Sequence, residues 1–481
     1  MGAARTLIVF PASLHGGRWA SGPRVKAGLV SLYTVLRHHG VEVSVLDLEN
    51  EIGNPNASDR DTFSSSVERR LAGLDPELVV ISCSSSLQYT ASLAVAEVFR
   101  DVFPDVPIGA VGFHVAVRPH EFTYEGTPFD WVVAGESEPA VVELAERTAK
   151  DGRPAACSLV EGPPLGLGAD TVPDVAGYPY IRPGLSVLHT SLSRGCPFPL
   201  AACAVSPGAP TWRAYAPDLV PEIVARHAEH LPGRVEILDP AFGLEAGWRA
   251  AALQALDLKG ERRDVALTLG VRPETFTRAD VDLAYRADVR LRMEVGTLST
   301  DLLERTGAVP HPVRYVEHAL DLLRYVNAKG ILTDVELVFN RPGETRASAA
   351  ETVDALRGLI DELPTTTLRL VAAAWVYVPF ADPDTDLLLP RERFGTRILH
   401  PEWWREGISS ERAAKAVVAS HDLADLEAGD ESYWRPDFER VLEAATAKLT
   451  GAARRGIRSH ESVGSASTGV PHGFWVASRW S

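Results

Sequence analysis

The sequence has no apolar run approaching the roughly 20 residues that a membrane-spanning helix needs. Its first residues lack the basic start, apolar stretch and small-residue cleavage site of a signal peptide, so a soluble, cytoplasmic protein without a membrane partner is expected. Positive charge is scarce: 48 Lys and Arg face 64 Asp and Glu, a net charge of −16, with no basic run interleaved with aromatics. Such a chain repels a phosphate backbone, which argues against nucleic acid and for a small-molecule or carrier-bound substrate. Cysteine is rare as well. Four in 481 residues cannot form the disulfide framework of a small secreted domain, so each reads as a buried thiol or a metal ligand. Cys83 and Cys157 stand alone, whereas Cys196 and Cys203 stand close together. There is no internal repeat.

What is present is enough apolar residue, 45% of the chain, to fill more than one core. From Thr6 to about Glu143, short apolar runs beginning at Leu7, Val43, Leu78, Ile108 and Trp131 alternate with helix-like stretches. Near-continuous apolar strands separated by helices predict a doubly wound, Rossmann-type parallel sheet over residues 1–150. Residues 151–185, rich in Gly, Pro and Asp and without a period, read as a linker. A second series of apolar runs, beginning at Val187, Val235, Val265, Leu291, Thr333 and Leu368, is again interleaved with helical segments such as Pro217–His230 and Pro312–Ala328. Six consecutive βα units predict a partial (β/α)6 barrel of the TIM type over 186–389, with an open doubly wound sheet as the competing layout. Residues 390–481 read as a C-terminal helical extension, with a helix expected over Ser410–Leu449, and a loosely docked tail.

Ligands of doubly wound sheets lie at the carboxyl ends of the strands. The loops there are Pro11-Ala-Ser-Leu-His-Gly-Gly17, Ser82-Cys-Ser-Ser-Ser86, Gly112-Phe-His114 and Gly135-Glu-Ser-Glu138. Glycine lets backbone approach a large flat ligand, and hydroxyls can donate to its polar edge; equally, such residues simply make tight turns. The order of these loops, with Leu46-Asp47 after the second strand and Asp130-Trp-Val-Val-Ala-Gly-Glu-Ser-Glu138, resembles the cobalamin-binding domain at the N-terminus of many radical S-adenosylmethionine proteins. The resemblance implies cobalamin contacts at His15, Gly16, Ser84, Ser85, Gly112, His114, Gly135 and Glu136. The Asp-x-His-x-x-Gly signature of cobalt-ligating histidines is absent around His15, so the lower face of cobalt is left to water or another side chain.

The second domain opens with Thr190-Ser-Leu-Ser-Arg-Gly-Cys-Pro-Phe198. This resembles the loop in which three cysteines of the superfamily hold a [4Fe–4S] cluster, class B-type members included. Here Leu200 stands where the middle cysteine is expected, leaving Cys196 and Cys203 as candidate ligands. Leu offers no lone pair to iron, so a cluster would need an outside ligand; the alternative is that both cysteines are buried small hydrophobes. Further on, Val235-Glu-Ile-Leu-Asp-Pro-Ala-Phe242, Glu294-Val-Gly-Thr-Leu-Ser299 and Phe339-Asn-Arg-Pro-Gly-Glu-Thr345 resemble strand-end motifs that contact S-adenosylmethionine in the family. In the last of these Asn340 replaces a glycine. The resemblance implies catalytic roles for Asp239 and Glu294 and a cofactor contact for Glu344. A loop carboxylate capping the next helix is the plainer reading, especially for Glu344.

Three functions are therefore expected to compete. The first is a cobalamin enzyme that uses polar chemistry without a cluster, tailoring a bacterial secondary metabolite, a source that the Ala- and Arg-rich composition favours. The second is a cobalamin-dependent radical S-adenosylmethionine methyltransferase with an irregular cluster. The third is a non-catalytic cofactor-binding partner of an active paralogue. Adjacent Trp403 and Trp404 read as a packing anchor for the C-terminal helices rather than a lid.

Overall fold

The computed structural model of the protein describes residues 2–12, 25–53, 60–181, 187–197, 211–230, 234–257, 266–377, 388–408, 412–413 and 415–451. Two six-stranded sheets organise it. The first contains β1 (Thr6–Phe10), β2 (Val43–Asp47), β3 (Leu78–Ser82), β4 (Ile108–Val111), β5 (Trp131–Gly135) and β6 (Ser158–Gly162), in the order β2-β1-β3-β4-β5-β6. All pairings are parallel. Every residue of β1, β3 and β4 is buried, as two-sided coverage requires, and the edge strands β2 and β6 are more exposed. Helices Ala27–His38 and Ser137–Asp151 pack on one face, and Arg60–Leu71 and Tyr89–Val102 on the other. Strand β6 lies within the stretch read as a linker. Its sequence, Ser-Leu-Val-Glu-Gly, is too short and exposed to announce a strand, and the edge of the sheet supplies the order. Tyr178 and Tyr180, from the same stretch, are buried against the first domain.

The second sheet contains β7 (Val187–Thr190), β10 (Arg234–Ile237), β11 (Ala266–Val271), β12 (Val289–Gly296), β13 (Thr333–Phe339) and β14 (Leu368–Ala374). The two-residue strands β8 (Ser193–Arg194) and β9 (Arg213–Ala214) form a separate antiparallel ribbon. Neighbours in the second sheet follow chain order without reversal, which makes it a partial barrel and not a doubly wound sheet. Among the described residues no pairing joins β14 to β7.

The barrel strands alternate. Leu291, Met293 and Val295 face the surrounding helices in the main core, and the residues alternating with them, Arg290, Arg292 and Glu294, face inward. The extension is less helical than expected. Val417–Val418 pairs antiparallel with Arg397–Ile398, and only Arg435–Lys448 is a long helix among the described residues. Trp434 stacks on Phe339 with ring centroids 4.2 Å apart, seating this helix on the barrel. Trp403 and Trp404 are buried anchors, and they pack against the first domain. No described helix is long and apolar enough to cross a membrane.

Candidate functional site

The carboxyl ends of the first sheet and of β7 and β10 meet at a cleft partly open to solvent, with a cavity volume of about 110 Å³. The first domain contributes Ala27, Gly28, Leu29 and Leu32 from its first helix, together with the ends of β3, β4 and β5; the barrel contributes Thr190, Ser191, Arg194 and Leu238. Small side chains dominate the wall on the sheet side. Ser82 and Ser84 share a hydrogen bond of 2.7 Å, leaving lone pairs and a rotatable proton for a ligand. Gly112 has φ +109°, and a Cβ there would lie 2.7 Å from the Cys83 carbonyl oxygen, so only glycine fits. Gly112→Val will therefore cost about 1–3 kcal/mol in urea unfolding and weaken any ligand of the cleft; an unchanged midpoint would contradict the close approach.

Of the residues expected to touch cobalamin, Ser84, Gly112, Gly135 and Glu136 line this cleft, whereas His15 and Gly16 lie outside the described residues. Ser85 and His114 do not line it. Ser85 is buried and its N–H donates to Gln88 Oε1 at 3.1 Å, closing a turn. His114 is turned away into a buried polar knot: Nδ1 lies 2.9 Å from Ser86 Oγ, and Nε2 lies 3.5 Å from Glu121 Oε2. Burial lowers its pKa, so the ring is neutral at pH 7. Glu121 also accepts from Arg118 Nε at 2.7 Å and from Trp404 Nε1 at 2.9 Å. Burial alone would raise this carboxyl, but His114, Arg118 and Trp404 outweigh it and hold it at about 2.

On the barrel side, Asp239 is buried beneath the start of the cysteine loop. Its Oδ1 accepts from Leu192 N–H and its Oδ2 from Ser193 Oγ, both at 2.7 Å. Burial pushes this carboxyl up to about 7, against those hydrogen bonds. Both oxygens are thus occupied in holding the loop. Glu294 lies near the end of β12 at a register shift before Gly296, a bulge that re-aims side chains at the barrel mouth. Nearby, Arg272 donates to Glu274 at 2.6 Å. Burial disfavours its charge, but Glu274, Glu294 and, more weakly, the Cys196 sulfur favour it, and its pKa rises. Cys196 is itself buried; Leu200 and Cys203 lie outside the described residues.

Glu344, in the loop after β13, does not line the cleft. It is buried, accepts from the Asn340 N–H and from Tyr433 Oη at 2.7 Å, and burial pushes it to about 7. The helix cap belongs to Thr345, whose Oγ1 accepts from Ser348 N–H. Asn340 has φ +58°, a left-handed conformation that asparagine tolerates better than most, which explains how it stands in for glycine.

Deeper inside the barrel lies a set of charges that motif matching missed. Glu236 is 3.4 Å from His189 Nε2 and 2.9 Å from Arg234, Arg292 is 3.3 Å from Glu336, and Arg369 pairs with Asp334 at 2.7 Å. Burial would raise Glu236, but His189 and the arginines hold it well below the usual carboxylate range. Barrel interiors are ordinarily packed with Val, Ile and Leu; this one suits a polar ligand above a charged floor. The signal was available in the alternation of Arg290, Arg292 and Glu294 along β12 and of Asp334 and Glu336 along β13. Among the described residues no group of three or more His, Cys, Asp or Glu is arranged to hold a metal ion.

With this geometry in view, residues 22–145 match the family model of the B12-binding domain. Among solved structures, the chain is similar to the radical S-adenosylmethionine methyltransferase TsrM from Kitasatospora setae with tryptophan substrate and an S-adenosylmethionine analogue bound. The identity is 19% and the TM-score 0.57, covering 78% of this chain and 74% of that one. The same enzyme with cobalamin and a [4Fe–4S] cluster gives 20%, 0.56, 79% and 77%. The cobalamin-dependent S-adenosylmethionine radical enzyme OxsB, with aqua-cobalamin bound, gives 14%, 0.55, 74% and 52%. A search of curated proteins finds no match. At these identities the structural likeness is one of fold alone: a doubly wound parallel-sheet domain, the part that the B12-binding model matches, followed by a partial barrel.

Proposed function

We propose that this chain, a B12-binding domain joined to a barrel of the radical S-adenosylmethionine fold, is a cobalamin-dependent enzyme. In this reading it transfers a one-carbon group to a small or carrier-bound substrate by polar chemistry, tailoring a secondary metabolite. The observation that carries the proposal is the cleft between the two domains, walled by glycine and hydroxyl residues on one side and by the ends of β7 and β10 on the other. The residues fit the corrin. Among the described residues Thr190 Oγ1, buried at the cleft, has no hydrogen-bond partner, as a group awaiting a ligand would be. Cobalamin, when bound, supplies a cobalt centre able to carry an alkyl group.

The chain's own residues would do the rest. Ser82, Ser84 and Thr190 offer hydrogen bonds to the amides at the ligand's edge, and Gly112 and Gly135 let backbone approach it. Arg272 and Glu294, of opposite charge at the mouth, suit the two ends of an amino acid or of S-adenosylmethionine as methyl source. Glu294 is the carboxylate we assign to proton transfer, and Asp239 the one that holds the loop. Leu200 argues for polar rather than radical chemistry, because it removes one of the three thiolates a cluster loop uses.

The deciding measurement is the iron, sulfide and cobalt content of protein prepared with cobalamin and reconstituted without oxygen. About one cobalt per chain with little iron is the expected result. About four irons per chain would return the protein to radical methylation through an irregular cluster. Absence of cobalt would remove the proposal.

A further inference from the structure

The ribbon of β8 and β9 forms the neck of the loop that carries Cys196 and Cys203, and in it Arg194 lies opposite Arg213. Two like charges at paired positions repel. Both are instead drawn to the first domain. Glu136 accepts from Arg194 Nη1 at 3.2 Å and from Arg213 Nη2. Glu138 accepts from Arg194 Nη2 at 2.7 Å and from Ser31 Oγ at 2.7 Å. Two cations thus meet two carboxylates, and the Arg194 and Glu138 side chains are only 11% and 5% exposed. Glu136, Glu138 and Arg194 all line the cleft. One charge cluster therefore belongs at once to the wall of the cleft and to the neck of the cysteine loop, two residues before Cys196.

Resting on the reading of the cleft as the cobalamin site, we propose that Arg194 is a positioning residue. With Arg213, Glu136 and Glu138 it forms a latch that couples filling of the cleft to the placement of Cys196. A ligand in the cleft excludes water from these charges and strengthens their pairing, which fixes the neck. Coupling of this kind is reciprocal: whatever loosens the latch weakens the ligand by the same factor. Arginine suits the place because its rigid planar fork holds one Nη toward each carboxylate in a fixed direction, whereas a lysine ammonium is a single point on a flexible stem.

The test is the rate at which iodoacetamide alkylates Cys196, followed by peptide mass spectrometry on the full chain with and without hydroxocobalamin. In the parent protein hydroxocobalamin should slow alkylation about tenfold. Arg194→Lys keeps the charge and most of the volume, and Glu138→Gln keeps the shape. In either variant the protection should largely disappear and hydroxocobalamin should bind about tenfold more weakly, with the melting curve showing a folded protein. Should both folded variants bind hydroxocobalamin and protect Cys196 as the parent does, the latch is refuted and the cleft stands. Should the parent fail to bind hydroxocobalamin, the cleft reading falls and the latch with it.

Discussion

Glu121→Ala will lower the stability of the folded protein by about 3–5 kcal/mol at pH 7, the cost of breaking a buried ion pair from one side. The carboxylate and Arg118 are both essentially excluded from water, and Trp404 donates to the same oxygen that faces His114. Removing it leaves a buried guanidinium and an indole N–H without their shared acceptor, and a cavity beneath the aromatic cluster. Glu121→Gln should fall between the two, because an amide oxygen still accepts from Trp404. The pH dependence has a definite sign. The carboxyl drops from an ordinary 4.5 to about 2 on folding, so its contribution, about 3 kcal/mol, is fully present above pH 4.5 and fades as pH falls through 2. Urea unfolding followed by tryptophan fluorescence should show a wide gap between parent and alanine variant at pH 7 that narrows below pH 4. Equal midpoints at pH 7 would contradict this account of the knot.

Asp239→Asn should have the opposite pH signature. Burial raises this carboxyl from 3.8 to about 7, so the folded state holds its proton more tightly than the unfolded chain does. For an acid shifted upward, stability is greatest below pH 3.8 and declines as pH rises toward 7, by about 4 kcal/mol in total. Asparagine does not titrate and can still accept from the Leu192 N–H. Unfolding at pH 4.5 and at pH 8 should show the variant gaining on the parent by several kcal/mol across that window. A constant difference would mean that Asp239 ionises normally and that water reaches it.

Much of the fold could be read from the sequence because buried parallel strands are almost uniformly apolar. Runs such as Leu78–Ile81 and Ile108–Val111 admit little else, and the six barrel strands, whose apolar residues alternate with polar ones, stood out as short runs between helical segments. β6 escaped because an edge strand needs no apolar face. The expected helix over Ser410–Leu449 gave way because its first part pairs with Arg397–Ile398, a partner that no local period reveals. The site was legible in part. Gly112 and Gly135 stand at turns whose backbone only glycine adopts, and Ser84 and Glu136 follow strands whose ends could be located. The sequence could not show that His114 and Glu344 turn into buried polar clusters, because their partners, Glu121 with Trp404 and Tyr433, come from distant segments. A motif gives the place of a residue along the chain; burial decides which way it turns.

The Trp404–Glu121 hydrogen bond spans 283 residues of sequence. During synthesis the first domain therefore leaves the ribosome with its acid, its arginine and the surrounding aromatic face uncovered. At 5–20 residues per second it waits about 15 s to a minute for the tryptophan that completes it. The domain that carries the B12-binding fold is thus unfinished until the chain has been made as far as Trp404, and a protein cut after the barrel would leave that face open for good.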